Sequence, residues 1–251
     1  MDPQLPSWRD GPAKASIVDF VDRVTSAGGD QFVPPEQRIA VFDNDGTLWC
    51  EQPMPVELGF ILQRLAAMAA DDVSLRDRQP FRAAYQQDHQ WLGQAITKHY
   101  QGDDGDVKLL MGGVLSAFAG QTVEQYQAAA EEFLRAGRHP TLHRGFLDCG
   151  YLPMRELLRY LEANLFTTFI ATGGDRDFLR PVAQQLYGVP PERVIGSSSA
   201  LRYQADQSDQ PGGSIVYQAE PDVFDDGPAK PVRIWSRIGR RPILAAGNAN
   251  G

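Results

Sequence analysis

Histidine and cysteine are scarce in this chain of 251 residues, which holds four of the first and two of the second. With only Cys50 and Cys149, a fold stapled by several disulfides is excluded. The pair is expected as inert thiols in a reducing compartment, with a single bridge between them as the alternative. His139 and His143 stand four apart, a spacing at which a helix can offer two imidazoles to a metal. Pro140 lies between them and no HExxH-type acid accompanies them, so they read as ordinary surface or core histidines. Basic charge is also short: 24 Lys and Arg against 32 Asp and Glu leave a net charge of -8, which argues against a nucleic-acid-binding face. No run approaches the roughly 20 apolar residues that span a bilayer, so no membrane is expected as a partner. The start Met1-Asp2-Pro3-Gln4-Leu5-Pro6 lacks the basic and apolar regions of a secretory leader. The expected location is the cytoplasm, or the periplasm if a signal peptide was removed before this sequence begins.

What is present is the pattern of a soluble α/β protein, 42% hydrophobic and 22% charged. Ile17, Val18, Phe20, Val21 and Val24 recur at helical spacing, and Pro34-Pro35 closes that entry segment. Arg38-Ile39-Ala40-Val41-Phe42 is a short apolar run rich in β-branched residues, as expected for a buried strand of a parallel sheet. Similar runs follow at Thr167–Ala171, Arg193–Ser197 and Pro242–Ala246, with helices predicted over 154–164, 175–187 and 231–238. From Val56 to about Gly137 the period is helical throughout, and Gly102-Asp103-Asp104-Gly105 marks a loop within that block. Leu201–Tyr203 and Ser214–Tyr217 flank a polar loop and predict a hairpin. The expected fold is a doubly wound parallel α/β sheet with an inserted helical cap. The core would take residues 1–52 and 151–251, and the cap 53–150.

In open α/β sheets ligands bind beyond the carboxyl ends of the strands. Asp43 and Asp45 follow the first strand, Thr172 the second and Asn248 the fourth, while Lys230 opens the helix before that fourth strand. Two carboxylates two residues apart, followed by Gly46 and Thr47, can face one pocket if the backbone bends sharply, and their mutual repulsion calls for a cation or an imposed proton. Mg²⁺ suits an oxygen-only site shared with a substrate phosphate, and an Asp nucleophile offers a route through an acyl-phosphate. The bland reading of the segment is a polar turn after a strand. Lys230 alone reads as a solvated helix-start lysine, and the same Gly-Pro-Ala-Lys tetrapeptide ends at Lys14. Its place before the fourth strand is what favours a role. Arg237, Arg240 and Arg241 read as a solvated helix end and loop.

Together these residues resemble the haloacid dehalogenase superfamily, nearest its phosphoserine-phosphatase-like branch. Its first motif, a strand followed by Asp-x-Asp-Gly-Thr, is matched by Asp43-Asn44-Asp45-Gly46-Thr47, and its second by Thr172-Gly173-Gly174. Its third, a lysine opening a helix, is matched by Lys230, and its fourth by Gly247-Asn248-Ala249-Asn250-Gly251. The resemblance implies that Asp43 attacks phosphorus and that Asp45 protonates the leaving oxygen, then deprotonates water. Thr172 and the amides of Gly173 and Gly174 would hold phosphate oxygens, with Gly46 and Thr47 beside them, and Lys230 would neutralise charge. Mg²⁺ would take a side-chain oxygen of Asp43, the carbonyl of Asp45 and ligands from the fourth loop. Glu51 stands near, though not quite at, the offset where phosphoserine phosphatases meet a substrate amine; a surface glutamate of the hinge is the alternative.

Asn248 departs from the family, since many relatives carry Asp there. The second acid of that motif is expected just past Gly251, where an Asp and the rest of the core would follow. The implied activity is Mg²⁺-dependent hydrolysis of small phosphorylated metabolites through an aspartyl-phosphate. Transfer to a second alcohol, or a phosphate-binding domain with weakened turnover, are the rivals. The oligomeric state is left open.

Overall fold

The computed structural model describes residues 5–103, 105–205 and 212–248. Two compact units divide the chain. The first comprises Met1–Pro53, Leu134–Ser197 and Phe224–Gly251, and the second Met54–Phe133 and Ser198–Val223. Among the described residues no helix is long and apolar enough to cross a membrane.

The first unit is built on parallel strands. β1 (Ile39–Phe42) is buried at all four positions, as a strand covered on both faces must be. It pairs in parallel with β2 (Thr167–Asp175) on one side, Ile39 against Thr167. On its other side it pairs with β5 (Leu244–Ala246), Val41 against Ala245. The first half of β3 (Val194–Ala205) adds to β2, Ile170 against Val194, with a register shift between Thr172 and Asp175. The order β3-β2-β1-β5 means that the chain steps outward from β1 and then returns to the opposite side of it. That reversal, between β1 and β5, is where such sheets form a ligand crevice.

The helices follow the apolar periodicity of the sequence. α1 (Pro12–Thr25) buries Val21 and Val24, and α7 (Leu152–Ala163) buries Leu157, Leu158 and Leu161. Each such leucine contributes about 1.5–3 kcal/mol by leaving water. α8 (Arg176–Tyr187) is capped by the Asp175 carboxylate, which accepts from the Asp177 amide, and ends at Gly188 with φ of 76°, a left-handed cap that glycine adopts without Cβ strain. Pro181 lies inside this helix at the cost of one backbone donor. α9 (Ala229–Ile238) lays Ile234 and Ile238 against a cluster of Ile39, Val41, Ala171 and Ile195. That contact sets where its first turn, with Lys230, stands over the sheet.

The second unit holds α2 (Val56–Asp71), α3 (Phe81–Gln86), α4 (His89–Tyr100), α5 (Gly105–Phe118) and most of α6 (Val123–Ala136). Gly105 opens α5 and Asp104 of the expected loop lies outside the described residues. The unit also contains the hairpin formed by the far half of β3 and β4 (Gly213–Val223), which pair antiparallel with Leu201 against Tyr217. Residues 206–211 of the polar loop lie outside the described residues.

The division therefore differs from an uninterrupted helical block over 53–150, and aromatic packing explains why. Tyr217 of β4 stands 5.0 Å from the Tyr126 ring, which meets Phe118 at 4.7 Å and Phe60 at 5.6 Å. Backbone bonds of 2.9 Å, from Gly120 N to Tyr217 O and from Tyr217 N to Gln121 O, fix the hairpin there. Residues 134–150 belong instead with the first unit, where Gly150 bridges Trp49 and the Cys50 amide donates to the Cys149 carbonyl.

Candidate active site

The turn after β1 is held by its own backbone. Asp43 N donates to Ala246 O at 2.9 Å, extending the ladder to β5 by one residue beyond β1. The amides of Thr47, Leu48 and Trp49 all converge on the Asn44 carbonyl, and Gly46 N donates to Trp49 O. Gly46 makes this bend possible with φ of 74°, in the left-handed region. Asn44 is buried and its Oδ1 accepts from the Tyr187 hydroxyl at 3.4 Å, so helix α8 braces the turn from below.

Five of the expected residues meet above this turn. Lys230 Nζ donates to Asp43 Oδ1 at 2.9 Å, and Thr47 Oγ1 donates to Asp43 Oδ2 at 3.3 Å. Thr172 Oγ1 donates to Asp45 Oδ2 at 3.4 Å, while the Trp49 indole donates to Asp45 Oδ1 at 2.9 Å. Each carboxylate thus has both oxygens engaged, one pair on a cation and a hydroxyl, the other on a hydroxyl and an indole. A cavity of about 280 Å³ opens beside Asp43 and Lys230, with Val41, Ala171, Ile234 and Ala245 as apolar walls. Such walls strengthen the charge interactions of the pair.

Burial pushes the Asp45 carboxyl up from the usual range; the Trp49 indole opposes this and the neighbouring Asp43 charge adds to it. A carboxyl of this kind holds a proton more readily than a solvated one and is suited to give it up during a reaction.

Two expected residues stand at the rim. Asn248 Nδ2 donates to Glu51 Oε1 at 3.1 Å, and a Cβ placed on Gly46 would lie 2.0 Å from that same nitrogen. The remainder of the fourth motif, Ala249, Asn250 and Gly251, lies outside the described residues. The Gly174 amide, expected to point at an anion, donates instead to Thr172 Oγ1 at 3.1 Å, because β2 continues through Gly174 to Asp175 before turning. Gly173 presents its carbonyl to the Ser197 hydroxyl at 2.7 Å.

Three groups near the site were not singled out from sequence. Trp49 orients Asp45 through its indole N–H. Ser197 and Asp225 flank the second-motif loop, Asp225 N donating to Ser197 Oγ at 2.9 Å. A tryptophan four residues from an acid across a non-helical turn carries no local signal. Phe224-Asp225-Asp226-Gly227-Pro228 reads as a solvated turn, yet Asp225 is fully buried. Elsewhere His139 is buried with Nδ1 facing the Thr141 and Leu142 amides, a structural role. Cys50 and Cys149 are free thiols. Lys14 pairs with Asp10, away from the site.

A family model described as haloacid dehalogenase-like hydrolase matches residues 37–208, more than half of the chain and the whole path from β1 through Thr172 to β3. The chain belongs to that family. It is a hydrolase with the haloacid dehalogenase fold. Lys230 and Asn248 lie beyond the matched span, so their place in the site rests on the distances given above. The fold is shared with a conserved, functionally unknown protein from Anaerococcus prevotii DSM 20548, at 14% identity and a TM-score of 0.53, covering 95% of this chain and 80% of that one. A protein of unknown function from Bordetella pertussis Tohama I is similar at 15% identity and a TM-score of 0.48, over 80% of this chain and 73% of that one. No curated protein matches the chain.

Proposed function

We propose that this hydrolase is a magnesium-dependent phosphatase of small phosphate monoesters, working through an aspartyl-phosphate on Asp43. The observation that supports it best is the Asp43 carboxylate held between Lys230 and Thr47, with a second carboxyl, Asp45, whose burial raises its affinity for a proton, beside Thr172. Asp43 attacks phosphorus as an anion; the bond from phosphorus to the substrate oxygen breaks, and Asp45 delivers its proton to that oxygen. Asp45, now ionised, takes a proton from water as the water oxygen attacks the acyl-phosphate. The bond from phosphorus to Asp43 then breaks, releasing inorganic phosphate and restoring both carboxyls. Lys230 and Thr172 balance the charge that gathers on the phosphoryl oxygens.

The residues present fit a hard cation. Asp43, the Asp45 carbonyl and the Asn248 amide oxygen are oxygen donors, and the missing side chain of Gly46 leaves the notch in which Asn248 sits. With Glu51 holding the Asn248 nitrogen, the amide oxygen is the atom left to ligate. Mg²⁺ bound by these residues would offset the repulsion between two carboxylates and a phosphate dianion. Among the described residues no group of three or more His, Cys, Asp or Glu forms an alternative centre.

The test is phosphate release from an activated aryl phosphate with and without Mg²⁺, beside Asp43→Asn. Release is expected to need the metal and to disappear in the variant; turnover that survives Asp43→Asn would remove Asp43 as the nucleophile.

A further inference from the structure

Trp49 is 1% exposed, and its indole N–H donates to Asp45 Oδ1 at 2.9 Å. Buried indoles usually find an acceptor; this one has taken a carboxylate of the site rather than a backbone carbonyl. The chain fixes the residue on both sides. The Trp49 amide donates to the Asn44 carbonyl at 3.3 Å, and its own carbonyl accepts from the Gly46 amide at 3.0 Å. Leu48 before it is fully buried and its carbonyl accepts from the Tyr151 amide at 2.8 Å, while the Cys50 amide after it donates to the Cys149 carbonyl at 3.3 Å. An indole N–H donates and never accepts. The partner of the other oxygen is different in kind. Thr172 Oγ1 stands 3.4 Å from Asp45 Oδ2, a longer contact, and a hydroxyl can turn from donor to acceptor. It already accepts from the Gly174 amide at 3.1 Å, and a hydroxyl oxygen has a second lone pair for another donor. The carbonyl oxygen of a neutral carboxyl is its better acceptor, so a fixed donor on Oδ1 steers the acid proton to Oδ2.

We propose that Trp49 is a positioning residue for the acid step: its N–H pins Oδ1 of Asp45 and leaves Oδ2 as the oxygen that exchanges the proton. The bond from phosphorus to the substrate oxygen breaks as the Oδ2 proton passes to that oxygen, and Asp45 is left an anion with Oδ1 still held. Oδ2 then takes a proton from the attacking water, so one oxygen serves both transfers without the carboxyl turning over. This rests on the phosphatase reading of the site and gives a role to a residue that the four motifs do not contain. Its effect is confined to leaving groups that need a proton: an alkoxide does, a nitrophenolate does not.

The experiment measures kcat/KM, which reports the steps up to departure of the leaving group, for p-nitrophenyl phosphate and n-butyl phosphate. The parent is compared with Trp49→Phe, which keeps a buried aromatic ring and removes the donor. The alkyl substrate is expected to lose about tenfold or more and the aryl substrate little, the effect of one hydrogen bond to a charged group. Added to Asp45→Asn, the same change should leave the alkyl-to-aryl ratio where Asp45→Asn alone puts it, because no acid proton is left to steer. Equal losses on the two substrates, or no loss on either, would overturn the proposal, since a merely structural indole disturbs both alike. If Trp49→Phe does not fold, benzothienylalanine at position 49, which puts sulfur in place of the N–H in a ring of the same shape, is read by the same two outcomes. Should the parent release no phosphate in an Asp43-dependent way, the phosphatase reading fails by itself. The indole proton resonance of Trp49 then decides whether it holds Asp45: it should move upfield in Asp45→Ala, and an unmoved resonance overturns the proposal.

Discussion

Replacing Gly46 by alanine separates two things that this glycine does. Its φ of 74° places any L side chain in the left-handed region, at about 1–2 kcal/mol. The new Cβ would also meet Asn248 Nδ2 at 2.0 Å and Glu51 Oε1 at 2.7 Å. Asn248 is exposed and Glu51 only half-buried, so both side chains can swing aside and the collision adds little to the loss of stability. The stability term is then mostly backbone, and in a chain of this size it lowers Tm by about 2–8 °C. The functional term is larger. Swinging Asn248 away removes an oxygen from the proposed cation site, and the Mg²⁺ concentration for half-maximal phosphate release should rise about tenfold or more, by analogy with the loss of groups that orient a metal ligand. Calorimetry reads the first effect and a Mg²⁺ titration of activity the second. Adding Asn248→Ala to Gly46→Ala should then change the Mg²⁺ requirement no further, because the amide is already displaced. A Gly46→Ala protein with unchanged Tm and unchanged Mg²⁺ dependence would refute the reasoning on both counts.

Asp45→Asn should lower steady-state hydrolysis of alkyl phosphates by about 10²–10⁴-fold, the usual worth of a positioned acid. With an aryl phosphate, whose leaving group needs no proton, the variant should still give a burst of one equivalent of phenolate before slow turnover; a missing burst would take the acid's role from Asp45. Arg180 donates to Asp177 at 2.8 Å, Asp177 is only 1% exposed and Arg176 stands farther off at 3.6 Å, so Arg180→Met takes the nearer of these two cations from a buried carboxylate. Denaturant unfolding should show a loss of about 3 kcal/mol, with much of it recovered by adding Asp177→Asn; an unchanged midpoint would mean that the pair contributes nothing.

The parts of this molecule legible in its sequence are those written in consecutive residues. Ile39–Phe42 reads as a buried parallel strand because all four side chains are apolar and none needs water, and the structure buries all four. The Asp43–Thr47 turn reads as a site because two acids and a glycine follow that strand directly. The helix starting near Lys230 is legible through Ile234 and Ile238, whose spacing demands a core on one side. Order along the chain then does the rest: Thr172 and Lys230 could be placed near Asp43 only because strands that follow one another in an α/β sheet end on the same edge.

What escaped the sequence depends on partners far apart in the chain and on side chains with several possible duties. The hairpin was legible as two strands, but its assignment to the second unit is decided by one ring, Tyr217 against Tyr126, that alternation cannot foretell. Gly173 and Gly174 read as bare amides for an anion, whereas β2 runs on to Asp175 and turns the Gly174 amide onto Thr172. Asp225 is the sharpest case. In sequence an Asp-Asp-Gly-Pro run is a polar turn, and nearly every such turn is solvated. Only the fold shows that Ser197, in a run of three serines, spends its hydroxyl on Gly173 and the Asp225 amide together, drawing the acid inward where water cannot reach it. Burial without a hydrogen-bond partner separates Asp225 from the exposed Asp226 beside it, although the two are indistinguishable on the page of letters.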